Sequence, residues 1–213
     1  MRKVFWDNPY QRSLTTKVAQ VDGARVLFEE TIIFSFSGGQ ESDKALVNDF
    51  PVIHSEIEGN HIFYTLAPEH SLVIGDEVSM EIDWPRRYSL MRLHFAAELI
   101  LELVARHLKV PKIGAHIAQS KARIDFIYNE NISHVFSLVQ NQYNEIINQD
   151  LPIKTGFSDV AHQRRFWEIE GFSKVACGGT HVKSTAEVGL ITLKRVNVGC
   201  GKERIEIKLV DNF

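Results

Sequence analysis

An α+β fold, with a small β-barrel first and a mixed α/β domain after it, follows from three features of this 213-residue chain. Residues up to about 83 form short β-like runs separated by turn residues. Residues 90–108 contain no Gly or Pro and carry apolar residues at helical spacing. The remainder returns mainly to strand-like runs around one further helical segment. The texture changes within Asp83-Trp84-Pro85-Arg86-Arg87-Tyr88, so the expected domains are 1–86 and 87–213.

The first domain opens with Val18–Val21 and Arg25–Phe28 around Asp22-Gly23, a hairpin signal. Thr31–Phe36 is a further β-branched and aromatic run, closed by Ser37-Gly38-Gly39-Gln40. His61–Leu66 and Glu77–Ile82 alternate at period two. Several short strands at this spacing predict a small barrel. Pro85 stops the last strand, and Ser89 is placed to cap the long helix. That helix presents Leu90, Leu93, Ala97, Ile100, Leu101, Val104 and Leu108 on one face and ends before Pro111. Ala122–Tyr128 reads as a strand. Ser133–Asn148 reads as a second helix with Val135, Leu138, Val139, Tyr143 and Ile146 buried. Strands follow around 166–169, 189–196 and 204–210.

The hydrophobic fraction is 44% and the charged fraction 24%, ordinary for a globular chain. No apolar run approaches the length of a membrane helix, and the N-terminus does not read as a signal peptide. Two cysteines argue against a disulfide framework and point to a reducing cytoplasm. The net charge of −3 argues against a generally basic nucleic-acid binder. Up to Arg86 there are 7 basic against 14 acidic residues, and afterwards 17 against 13, so a polyanion would meet the second part. No His-Glu-x-x-His and no Gly-x-x-x-x-Gly-Lys-Ser/Thr occurs, leaving metalloprotease and nucleoside triphosphate chemistry unsupported.

Two residue pairs carry metal chemistry. His94 and Glu98 stand four apart on the long helix, on one face. Cys177 and His181 have the same spacing, but Gly178 and Gly179 between them predict a tight loop. Thiolate and imidazole both suit zinc. Each pair has a plainer reading: an i,i+4 surface pair for the first, a buried cysteine and a structural histidine for the second. Cys177 as a nucleophile with His181 as its base is equally compatible with the spacing.

Cys177-Gly178-Gly179-Thr180-His181-Val182 is similar to the second zinc half-motif of AlaX proteins and of alanyl-tRNA synthetase editing domains; threonyl-tRNA synthetase carries a related domain. Arg92–Leu99, RLHFAAEL, stands where that family has a His-x-x-x-His helix; His94 matches, and Glu98 replaces the second histidine. Phe34–Asp43, FSFSGGQESD, resembles the family's glycine-rich stretch, and His116–Phe126 resembles the segment after the long helix. Asn144–Thr155, Gly189–Arg195 and Gly201–Ile207 add weaker matches in family order, so the resemblance covers almost the whole chain.

The resemblance implies a β-barrel domain followed by an α/β editing domain of the threonyl/alanyl type. It implies a cytoplasmic hydrolase that uses zinc to remove serine or glycine from tRNA for alanine. Its metal ligands would be His94, Cys177, His181 and Glu98, with Glu98 alternatively serving as a base. Thr180 would donate its hydroxyl near the metal, and Gln119 would read the amino-acid hydroxyl or the ribose. Gly38, Gly39 and Gln40 would form the pocket floor, otherwise being a hairpin turn. Lys202 and Arg204, with Arg164, Arg165, Lys194 and Arg195, are candidates for tRNA phosphate contacts, each also readable as a solvated strand edge. The rival reading is a non-catalytic tRNA-binding relative with a weakened metal site.

Overall fold

The computed structural model describes residues 1–210. Their contacts divide into two compact units: residues 1–37 with 41–87, and residues 38–40 with 88–210.

The first unit contains β1 (Arg2–Lys3), α1 (Val4–Asp7), β2 (Ser13–Asp22), β3 (Arg25–Phe28), β4 (Glu30–Thr31), β5 (Ala45–Val47), β6 (Phe50–Glu58), β7 (His61–Leu66) and β8 (Glu77–Ile82). Six of these pair in a closed ring, β2-β3-β7-β6-β5-β8. The predicted hairpin is β2–β3, with Asp22 opposite Arg25 and Gly23 at φ +56° in its turn. The period-two alternation sorts side chains as expected: β7 buries Ile62, Tyr64 and Leu66, and β8 buries Val78, Met80 and Ile82. Closure leaves no open sheet edge in the ring.

Thr31–Phe36 departs from the strand expectation. Only Glu30–Thr31 pairs, with β1; Ile32–Phe36 is irregular, although Ile32, Ile33 and Phe34 are buried. Side chains replace the missing ladder. The Ile33 N–H donates to Thr31 Oγ1 (3.0 Å) and the Phe34 N–H to Asp43 Oδ2 (2.7 Å). The Ile32 carbonyl accepts from Arg87 Nη2 (2.6 Å) and the Ile33 carbonyl from the Tyr64 hydroxyl (2.7 Å). Buried backbone must find such partners wherever a sheet does not supply them. Arg87 and Asp43, both fully buried, form the ion pair at the centre of this network.

The long helix, α2 (Trp84–His107), begins five residues before the expected cap at Ser89. Asp83 starts it instead: its Oδ1 accepts from the Arg86 N–H (3.1 Å). Pro85 is compatible because first-turn N–H groups have no helical partner to lose. The helix also buries more than one stripe. Every residue from Leu90 to Ala97 is buried, including Met91, Arg92 and Phe95, whereas Leu101 and Leu108 are only half-buried. It is a core helix rather than a surface one.

The second unit adds β9 (Lys112–Ile117), β10 (Ala122–Ile127), α3 (Phe136–Asn148), β11 (Lys154–Asp159), β12 (Arg164–Ile169), β13 (Ser173–Ala176), β14 (Ile191–Gly199) and β15 (Lys202–Leu209). A 3-10 turn, Ile132–Val135, leads into α3. Val135, Val139, Tyr143 and Ile146 are buried as expected, but Leu138 is exposed and Ile147 takes a buried place. One antiparallel sheet runs β14-β15-β10-β9 and a second runs β11-β12-β13. In the first sheet Ile124, Phe126, Ile205 and Ile207 face inward. The opposite face carries Arg123, Asp125, Arg204 and Glu206, with Arg123 opposite Glu206 and Asp125 opposite Arg204.

Residues 38–40 join this unit along the β9 edge. Gln40 makes a parallel bridge with Ile117, and the Ile117 N–H donates to the Gly39 carbonyl (2.7 Å). Gly39 has φ +91°, and a Cβ there would stand 2.5 Å from the Ala115 carbonyl oxygen. Only glycine allows that approach.

Candidate metal centre

The middle of α2 supplies His94 and Glu98. The loop after β13 supplies Cys177, Thr180 and His181. The Cys177 N–H still donates to the Arg165 carbonyl (2.9 Å), so the β12–β13 ladder fixes where the loop departs. The predicted convergence is present. Cys177 Sγ lies 3.5 Å from His94 Nε2, and donor atoms of His94, Cys177 and His181 all lie within 4.8 Å of one another. The His94 and His181 rings stack with centroids 5.0 Å apart.

Glu98 Oε1 lies 3.5 Å from His94 Nε2 and 3.8 Å from Cys177 Sγ. Donors sharing one tetrahedral zinc at bond lengths near 2.0–2.3 Å stand roughly 3.3–3.8 Å apart, so these separations fit co-ligands. The other oxygen, Oε2, accepts from Trp167 Nε1 (3.0 Å). Trp167 is a site residue that the sequence does not single out. Its period-two placement in β12 marks it as buried, but nothing local says that its N–H meets a carboxylate 69 positions away. Phe95 is another. Its ring meets both Trp167 and His181 edge-on, at 5.1 and 5.7 Å, and walls the cluster on one side.

The charges are strongly coupled. Burial opposes charge on His94, but the Cys177 thiolate and the Glu98 carboxylate outweigh it and push the imidazole up to about 10. Burial likewise opposes ionisation of Glu98, yet hydrogen bonding to His94 and Trp167 brings the carboxyl down to about 2. The Cys177 thiol falls to about 6 against its burial, through His94 and His181. Two anions therefore face a position that favours positive charge. A further sign of fit is that His181 Nε2 is buried without a hydrogen-bond partner. Buried imidazole nitrogens of this kind are costly unless something fills the place. The donor set, two imidazoles, a thiolate and a carboxylate, fits zinc.

Gly179 permits the packing. A Cβ built on it would meet His94 Cε1 at 2.0 Å, His94 Nδ1 at 2.5 Å and Gln40 Oε1 at 2.8 Å. Gln40 fastens the same loop from the other side. Its Nε2 donates to Thr180 Oγ1 (2.8 Å) and its Oε1 accepts from the Thr180 N–H (3.2 Å), all buried. The structure thus brings Gly39, Gln40, Thr180 and the metal donors into one constellation. Gly38, at φ +61°, has open space around it and turns the chain into that position. Gln119 lies in an exposed bend two residues beyond β9. Lys202 and Arg204 lie on β15, in a different sheet from the β13 strand that leads to Cys177; Arg204 pairs with Asp125 at 2.6 Å.

Comparison with known proteins shows what the whole chain is similar to. Residues 165–206 match the threonyl and alanyl tRNA synthetase second additional domain. The chain is 30% identical over 214 residues to an alanyl-tRNA editing protein AlaX-M of Pyrococcus horikoshii, covering 98% of this chain and 97% of the relative. It is 29% identical to a protein of the same name from Saccharolobus solfataricus, covering 95% and 96%. The alanine–tRNA ligase of Staphylothermus marinus is 31% identical over 96% of this chain, which spans 25% of the ligase's length. A match that takes in nearly all of both chains, together with Cys177 and His181 gathered against His94, means that the chain belongs to the AlaX-M family.

Proposed function

We propose that this protein is a trans-acting, zinc-dependent hydrolase that removes a wrongly attached amino acid, serine or glycine, from tRNA for alanine in the cytoplasm. The observation that carries the reading is the convergence of His94, Cys177 and His181 in a chain whose relatives are named for alanyl-tRNA editing. His94, Cys177 and His181 would hold the metal, and Glu98, whose Oε1 lies beside His94 and Cys177, is placed either to join them or to serve as a base. Zinc bound there would supply Lewis acidity toward the ester carbonyl. The ionised Glu98 is also the group able to accept a proton from an attacking water. Thr180 Oγ1 accepts from Gln40, so its own hydroxyl proton is left to donate to a substrate oxygen. Gln119, in the exposed bend two residues beyond β9, is assigned to reading the ribose or the amino-acid hydroxyl.

Purified protein should contain about one zinc per chain and deacylate Ser-tRNA for alanine, losing activity with chelation and regaining it with zinc. Metal-free protein that binds tRNA without deacylating it would favour the non-catalytic relative. Glu98→His separates the two roles of the carboxylate. Retained zinc with deacylation reduced at least about 100-fold assigns Glu98 as the base; retained zinc with undiminished deacylation assigns it as a ligand.

Metal binding should also be linked to protons in a defined sense. At pH 8 the thiol and carboxyl are already ionised and His94 still holds its proton, so zinc entry releases about one proton from His94. Below pH 6 Cys177 releases a second, so zinc affinity weakens more steeply toward acid. Calorimetry in two buffers of different ionisation heat measures this count; a count from these groups that does not rise toward acid contradicts the assignment.

One observation favours a second reading. A thiol lowered to about 6 with the His94 imidazole at 3.5 Å, in place of the His181 expected from spacing, is also the arrangement of a cysteine nucleophile and its base. Deacylation that survives exhaustive chelation but is abolished by Cys177→Ser would select it.

A further inference from the structure

The outward face of the β14-β15-β10-β9 sheet concentrates positive charge in an otherwise acidic protein. Six cations, Lys121, Arg123, Lys194, Lys202, Arg204 and Lys208, share it with two carboxylates, Asp125 and Glu206. Asp125 is held between Arg123 and Arg204, and Glu206 pairs with Lys121 at 2.6 Å. The carboxylates therefore lock the arginine rows in place, while Lys194, Lys202 and Lys208 stand exposed above them. Glu206 is held below its ordinary range chiefly by Lys121, and also by Lys194 and Lys208, so these charges share one field.

The face borders the metal centre. Its β9 edge is the strand on which Gly39 and Gln40 are mounted, and Gln40 holds the Thr180 loop. One register row, His116, Arg123, Glu206 and Lys194, crosses the sheet from that edge to the far strand. Three strand spacings of about 4.8 Å make that row on the order of 14 Å wide. A sheet face of this width, on which cations outnumber carboxylates, beside the proposed site for a tRNA-borne ester suits phosphate contacts that position without reading sequence.

We propose that this sheet face carries the sugar-phosphate backbone of the tRNA acceptor arm, while the single-stranded 3′ end passes over the β9 edge into the metal centre. The inference rests on the deacylase reading given above. It assigns the exposed lysines a share of substrate affinity and no share in the chemical step.

The test is the double variant Lys194→Glu/Lys208→Glu, with Lys194→Gln/Lys208→Gln as the milder pair and Lys154→Glu, on the other sheet, as the control. Binding of uncharged tRNA is measured over a salt series, and deacylation kinetics, zinc content and thermal midpoint are measured alongside. The expected result for charge reversal is at least about tenfold weaker binding, with the slope of log affinity against log salt reduced by roughly 0.7–0.9 for each phosphate no longer neutralised. KM should rise by a similar factor with kcat and zinc content unchanged, the Gln pair should lie between, and Lys154→Glu should match wild type. Unchanged tRNA affinity and KM in both pairs overturns the assignment. So does a loss of affinity for a DNA duplex of equal length accompanied by an unaltered KM for charged tRNA, which would mark a generic polyanion patch. Wild-type protein that neither binds nor deacylates charged tRNA sinks the deacylase reading itself. Active wild type with unaffected variants sinks only the sheet face.

Discussion

If the chain is the proposed zinc-dependent deacylase, Gly179→Ala is expected to abolish zinc retention and lower deacylation by at least about 100-fold, while Gly178→Ala should leave both within about twofold. The two positions are neighbours in the same loop, and neither has a left-handed backbone. They differ in what surrounds them. At Gly178 an added methyl meets nothing within 4 Å; at Gly179 it would occupy space already filled by the His94 ring and the Gln40 amide. The ring is itself buried on a helix with no room to retreat, because every residue from Leu90 to Ala97 is buried. The loop must therefore move, carrying Cys177 and His181 out of register with His94. Metal analysis of the purified variants, with circular dichroism to show intact folds, measures the effect. Equal zinc content in both variants would mean that the loop can yield without loss, and that the tight approach has no role in the site.

The second large effect lies away from the chemistry. Asp43→Ala is expected to destabilise the first unit by about 3–5 kcal/mol, because it strands the guanidinium of Arg87 without its counter-charge. Both side chains are fully buried. The change also removes the acceptor for the buried Phe34 N–H. A fall in thermal midpoint on the order of 10 °C should result. Asp43→Asn, which keeps an acceptor for Phe34 but not the charge, should fall in between. A midpoint within about 2 °C of wild type for Asp43→Ala would show that water or rearrangement satisfies Arg87.

Much of this architecture is legible from local pattern, and the exceptions have identifiable causes. Strands such as His61–Leu66 and Glu77–Ile82 announce themselves because one face is buried and the other wet. Ile32–Phe36 has the same residue types, but its backbone partners are the side chains of Asp43, Arg87 and Tyr64, which no local pattern reveals. Ser89 suggests a helix start because Pro85 reads as a barrier. The actual start is set by Asp83, and Pro85 sits where its missing N–H costs nothing. Within α2, a one-sided stripe understates a helix buried on every side from Leu90 to Ala97. At the site, the metal donors are visible as residue types at useful spacing. Their supports are less so: Trp167 under Glu98 and the double hydrogen bond of Gln40 to Thr180 are contacts across 69 and 140 positions.

That last separation orders events during synthesis. The residue that pins the Cys177–His181 loop is synthesised first, and the loop it pins emerges 140 positions later. A nascent chain can form its helix bearing His94 and Glu98 well before any thiolate is present to complete a high-affinity cage. Ion capture by the proposed centre must therefore wait until Cys177 and His181 have been made.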